Sequence, residues 1–184
     1  DLLKTQAQLK NTLDYVRTLM AEGKLILFVG LTKQSAGGIK DVAQALGMPY
    51  VIDRWLGGTL SNFKVINSRV KHLEEMERQQ ASGELEKYTK KERTMLAKEL
   101  EKMKVKFDGL KKLPRVPDAI FVSSLKESAL PIREAKRTGV KIIAIANTDA
   151  NPAEADYIVP ANDRSKKSVD IILDVLKGEF GAEK

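Results

Sequence analysis

Cysteine is absent from this 184-residue chain, so neither a disulfide framework nor a zinc–thiolate site can be built from it. That fits a reducing compartment. Aromatic residues are scarce at 5%, against 42% apolar residues overall, so the core must rest on Ile, Val, Leu and Ala. Histidine occurs once, as His72 in a charged segment, where a solvated helix position accounts for it. With no second His and no Cys, neither a His-based metal site nor a serine triad can be assembled. No apolar run approaches the roughly 18 residues needed to span a bilayer. The opening Asp-Leu-Leu-Lys shows neither an initiator Met nor a signal peptide, and a trimmed chain is expected.

What the chain has in quantity is positive charge. Its 32 Lys and Arg outnumber 25 acids, for a net charge of +7. A polyanionic partner follows, and nucleic acid is the commonest one. The length suffices for one α/β domain carrying an insertion.

Helical spacing of Leu2, Leu9, Leu13, Val16 and Met20 predicts an amphipathic helix over 2–21. Continuous apolar runs at 25–29, 50–52, 119–122, 141–146 and 157–159 predict strands buried on both faces. Further helices are expected over 39–46, 127–137 and 168–176. Strands alternating with helices mean a parallel sheet flanked by helices, a Rossmann-like α/β fold. From 64 to 112 the texture changes, because charge is dense and β-branched residues are few. Phe63, Ile66, Val70, Leu73 and Met76 recur every three or four positions. Leu96, Leu100, Met103, Phe107 and Leu110 follow the spacing of a coiled-coil seam. With a turn at Ala81-Ser82-Gly83, the segment reads as an antiparallel coiled-coil hairpin projecting from the body. The expected domains are therefore 1–63 with 113–184, and the inserted hairpin 64–112.

Motif tests give catalysis no support. After the first strand, Lys33 comes too early for a Walker loop, Gly38 is followed by Ile39, and GxGxxG is absent. Thr32, Lys33 and Ser35 suit either a phosphate at a helix N-terminus or a plain helix cap. Asp149, Asp156 and Asp163 fall at strand ends, where such folds bind ligands, and Asp149 reads as a cap or a loop turn. The run from Arg54 to Phe63 is more distinctive. It holds the single Trp, Trp55, the pair Gly57-Gly58, and the polar residues Thr59, Ser61 and Asn62. Such a loop either presents amides, a guanidinium and hydroxyls to phosphate and ribose, or is a tight turn anchored by Trp55. Basic clusters at Lys90-Lys91-Arg93, Lys102, Lys104 and Lys106, Lys111-Lys112-Arg115 and Lys166-Lys167 suit structured RNA, though Glu interleaves those of the hairpin.

The segment RWLGGTLSNFK (54–64) closely resembles the signature of the bacterial-type small-subunit ribosomal protein S2 family. LILFVG (25–30), GMPYV (47–51), PDAIFV (117–122) and REAKRTGVKIIAIANT (133–148) resemble it in order and spacing, over about residues 1–180. The resemblance implies a Rossmann-like domain with an inserted helical hairpin. It implies a non-enzymatic role at the back of the small subunit, near the head–body junction, with no cofactor, membrane or small-molecule substrate. The implied partners are 16S-type ribosomal RNA, neighbouring small-subunit proteins and, in many bacteria, the mRNA-binding protein S1. The implied location is the ribosome of the cytoplasm or of an organelle. The expected RNA-binding residues are Lys33, Arg54, Trp55, Gly57, Gly58, Thr59, Asn62, Lys64, Lys90, Lys91, Arg93, Lys111 and Lys112. The chain departs from the family where Ser123 to Ala129 replace a VDPKKEH segment and where Asn162-Asp163-Arg164 replaces Asn-Asp-Asp. Those losses weaken any metal-assisted docking at the sheet edge. The alternative reading is a nucleotide- or sugar-phosphate-binding enzyme of doubly wound fold.

Overall fold

Apolar runs become strands in the computed structural model, which describes residues 2–181. These are β1 (Ile26–Val29), β2 (Tyr50–Val51), β3 (Ala119–Val122), β4 (Lys141–Ala146) and β5 (Tyr157–Pro160). Among the described residues they form one parallel sheet in the order β2-β1-β3-β4-β5. The helices are α1 (Leu2–Ala21), α2 (Lys33–Leu46), α3 (Phe63–Ala81), α4 (Lys90–Phe107), α5 (Ala129–Thr138) and α6 (Lys166–Phe180).

The two-residue period of a strand sorts the core into two halves. Ile26, Phe28, Phe121, Ile143 and Ile145 pack with Val16 of α1, Ile39 and Val42 of α2, and Leu173 and Leu176 of α6. Leu27, Val29, Ile120, Val122 and Ile142 pack on the opposite face with Ile66, Val70 and Leu73 of α3, Leu100 and Phe107 of α4, and Ile132 of α5. The α/β architecture expected from the apolar pattern is present.

Some helix boundaries differ from the expected ones. The spacing predicts α2 from Ile39, yet the helix begins at Lys33 and runs through Gly37 and Gly38. At Gly38 a Cβ would stand 2.8 Å from Leu173 Cδ1, so the glycine permits close approach of α2 and α6. Helix α6 likewise extends beyond the expected 168–176 at both ends, and α5 starts at Ala129 rather than Glu127.

The segment between β2 and β3 is better rooted than a projecting element with a narrow stripe would be. Ile66, Val70, Leu73, Leu100, Phe107, Leu110 and Leu113 are buried in the same cluster as the sheet residues. Between 74 and 99 no described residue is buried, although Met76 still packs against the cluster, so the far part of α3 and the near part of α4 are the least covered. Helix α4 is started by a capping box: Glu92 N–H donates to Thr89 Oγ1 and Thr89 N–H to Glu92 Oε2.

Leu173→Ala, at a position 1% exposed, is expected to cost about 2–5 kcal/mol in unfolding free energy. Ile171→Ala on the same helix, at 64% exposure, should change it by less than about 0.5 kcal/mol. Urea titration of both variants measures the contrast.

Candidate nucleic-acid interface

The Arg54–Phe63 loop leaves the carboxyl end of β2, an edge strand, and turns into α3. Its amides do not face solvent as a bare cradle. They close on the carboxylate of Glu134, a residue of α5 that is only 7% exposed. Gly58 N–H donates to Oε1 at 2.7 Å, and the Trp55 indole N–H donates to the same oxygen at 3.2 Å. Leu60 N–H donates to Oε2 at 3.0 Å, joined there by the N–H and hydroxyl of Ser61 at 3.2 and 3.3 Å. Gly58 sits at φ +93°, a conformation that side chains rarely adopt, and this turns successive N–H groups inward.

Burial alone would push the Glu134 carboxyl pKa up, but the donors of Gly58, Leu60, Trp55 and Ser61 together hold it below the ordinary glutamate value. The loop is thus wrapped around an anion supplied by its own chain. Of the two readings of this loop, the geometry matches the tight turn anchored by Trp55. Trp55 and Thr59 are buried, at 5% and 1% exposure. The Thr59 hydroxyl donates to the Leu56 carbonyl at 2.6 Å, so both residues brace the loop instead of presenting polar groups outward. Gly57, Arg54, Asn62 and Lys64 are exposed, and among the described residues neither Arg54 nor Lys64 has an acidic partner.

The remaining candidates divide in the same way. Lys33 opens α2, and Lys90, Lys91 and Arg93 lie in the first turn of α4; all four are exposed, as is Lys112. Lys111 is not free. Its ammonium lies 2.8 Å from Glu77 of α3 and 2.7 Å from Asp108, tying the end of α4 to α3. Partial burial acts to lower its pKa, but the bonds to Asp108 and Glu77 raise it overall. Lys104 approaches the same Glu77 at 3.9 Å.

The carboxyl edge of the sheet between β1 and β3, where strand order reverses, carries a cleft of about 280 Å³ lined by Thr32, Gln34, Ser124, Lys126, Asp163 and Arg164. Thr32 occupies the N-cap of α2, but its hydroxyl does not cap. It meets Ser35 Oγ at 2.8 Å, and the Ser123 hydroxyl donates to Ser35 Oγ at 2.7 Å. Asp149 caps no helix either: Lys126 and Arg164 contact its carboxylate at 2.9 and 2.7 Å. The bond to Lys126 leads in holding that carboxyl below its usual range. Buried Asp163 accepts from the Ser124 hydroxyl at 2.6 Å. Among the described residues no cluster of three or more His, Asp or Glu could hold a metal ion.

Residues 1–180 match the family model of ribosomal protein S2. The chain belongs to the ribosomal protein S2 family. It is 44% identical over 173 residues to small ribosomal subunit protein uS2 of Thermus thermophilus, an alignment covering 94% of this chain and 68% of the relative. The protein of the same name from a second strain of that organism gives the same identity and coverage. As an S2-family protein the chain is a ribosomal protein, a structural constituent rather than a catalyst by family. No helix among the described residues is long and apolar enough to cross a membrane.

Glu134 is the residue of this S2-family site that sequence reasoning did not single out. The available signal was its position on the buried stripe of α5, between Ile132 and Ala135. Glu134→Gln is expected to cost about 2–4 kcal/mol, because an amide turns an N–H toward donors that need an acceptor. The depressed folded pKa means the unfolded chain takes up the proton first as pH falls. The carboxylate's contribution is therefore whole above the free-Glu value of about 4.3 and is lost as pH drops through the folded value. Chemical denaturation between pH 7 and 3 should show a steeper acid loss for the native chain than for the Gln variant.

Proposed function

We propose that the chain binds 16S-type ribosomal RNA of the small subunit as a non-enzymatic structural component. The match to the S2 family over residues 1–180 carries this reading. The net charge of +7 and the exposed cations of the loop and α4 support it. Arg54, Asn62 and Lys64 face the RNA from the loop that Glu134 holds in shape. Trp55, Gly58 and Thr59 act through that shape, and Gly57 allows close approach. Lys33, Lys90, Lys91, Arg93 and Lys112 add phosphate contacts, while Lys111 serves the internal clamp to Glu77.

Residues 1–63 and 113–184 form the Rossmann-like domain of this reading, and 64–112 the inserted antiparallel coiled-coil hairpin. Burial of Leu100, Phe107 and Leu110 and the bridging of α3 to α4 through Glu77 support the hairpin. Partners are the neighbouring small-subunit proteins, with the mRNA-binding protein S1 among the candidates. The location is the ribosome, in the cytoplasm or in an organelle.

Sucrose-gradient sedimentation of lysate tests the reading. The chain should migrate with the small subunit and stay there through moderate salt. Arg54→Ala should lower its occupancy, and removing one phosphate-binding cation should flatten the salt dependence of RNA binding by about 0.9 in log–log slope. A native chain left at the top of the gradient in low salt would overturn the assignment. A thermal shift with a nucleotide would then favour the phosphate-binding enzyme of doubly wound fold.

A further inference from the structure

The lysines of α4 are sorted by what they touch. Leu100 and Phe107 face the core, and on that side Lys104 leans toward Glu77 of α3. By helical geometry Lys91, Lys98 and Lys102 lie within about 20° of the direction opposite Leu100, and Lys106 within about 60°. All four are exposed, and among the described residues none has a side-chain hydrogen bond or an acidic partner. The acids of the same helix are engaged or turned aside. Glu92 accepts from the Thr89 backbone at the helix start, and Glu101 stands 3.8 Å from Lys104. Glu99 lies on the flank, about 80° from the outward direction.

Between the lysines the outward face carries Met95 and Val105, exposed to 63% and 64%. It holds no aromatic ring and no Arg, the residues that anchor protein–protein hot spots. On helix α3, Arg78 is bound to Glu75 at 3.0 and 2.8 Å, while exposed Lys64, Arg69 and Lys71 have no acidic partner among the described residues.

We infer that the outward face of α4, built from Lys91, Lys98, Lys102 and Lys106, lies along the phosphate backbone of structured RNA, with Met95 and Val105 against the sugars. The inference rests on the RNA-binding reading above and extends its contacts from the start of α4 along the helix through Lys98, Lys102 and Lys106, away from the Arg54 loop. Steps of four residues rise about 6 Å, so Lys98, Lys102 and Lys106 form a ladder of point charges rather than a single anion pocket. From Lys91 to Lys106 the row extends about 22 Å. Lysine on flexible stems neutralises phosphates without reading bases, so binding here is sensitive to shape and salt rather than to sequence.

The test is filter binding of the full chain to deproteinised small-subunit RNA across a salt series. The native chain is compared with K98A/K102A/K106A and with a charge-matched variant, K40A/K136A/K177A, altered on exposed positions of α2, α5 and α6. Circular dichroism confirms that each is folded. The α4 variant should bind more weakly, its log–log salt slope reduced by about 2–3. The charge-matched variant should keep a slope near that of the native chain. An unchanged slope in the α4 variant, or an equal loss in both, would overturn the inference while leaving RNA binding itself intact. Full RNA affinity in the α4 variant with poor incorporation into reconstituted subunits would assign the face to a protein neighbour and overturn it too. A native chain that does not bind the RNA would overturn the RNA-binding reading itself.

Discussion

A carboxylate removed from water must be met by hydrogen-bond donors, and Glu134 is met by the amides of Gly58, Leu60 and Ser61, the Ser61 hydroxyl and the Trp55 indole. This places a constraint on everything nearby. The loop after β2 has to curl so that its N–H groups converge, and Gly58 must hold a positive φ for that to happen. Trp55 then packs into the cluster shared by β1, β3, α3, α4 and α5. One side chain of α5 thereby fixes where the chain leaves the sheet edge and how it enters α3. Exposed Arg54, Asn62 and Lys64 inherit their positions from that internal anion.

The same logic governs the cations. A net charge of +7 does not mean that every lysine is available to a partner. Lys104 and Lys111 gather around Glu77, Lys126 and Arg164 around Asp149, and Lys141 donates to Asp156 at 2.8 Å. These ion pairs hold elements together near the surface, where each contributes little to stability but neutralises a charge that a partner would otherwise meet. On α4, Lys91, Lys98, Lys102 and Lys106 stay unpaired along one face, so the charge of that helix is directional. A directional charge also orients an encounter before contact, because the field of one face is not cancelled by its own acids.

Much of the fold was legible because parallel strands buried on both faces read as continuous apolar runs, as LILFV, AIFV and KIIAIA do. The helical periodicity of 63–110 was equally plain, and its stripe residues Ile66, Val70, Leu73, Leu100 and Phe107 are buried. The misread positions are those whose partners are distant in sequence. The spacing predicts helix α2 only from Ile39, and the first part of it, with Gly38 against Leu173 of α6, depends on a distant partner. Thr32 suggested a cap, yet its hydroxyl belongs to a chain through Ser35 to Ser123, 88 residues further on. Glu134 lay unnoticed among the charges of REAKR, because its place on the α5 stripe hints at burial but does not reveal donors that stand 73 to 79 residues away. Local pattern gave the elements, while the polar contacts that define the loop's surface arise only when the sheet assembles.

The strand order has a consequence in time. Strands β1 and β2 can meet early, since they lie close in sequence, but β1 is an internal strand and its other neighbour is β3. The bond from Leu25 N–H to Asp118, just ahead of β3, closes a span of 93 residues. Until α3 and α4 have been made and folded back, one edge of β1 stays unpaired and one face of the young sheet lacks its cover. Closing so long a loop is slow relative to helix formation, even though its entropy grows only as the logarithm of length. A nascent chain of this protein therefore passes through a stage in which an apolar strand edge is open, and the emergence of β3 ends it.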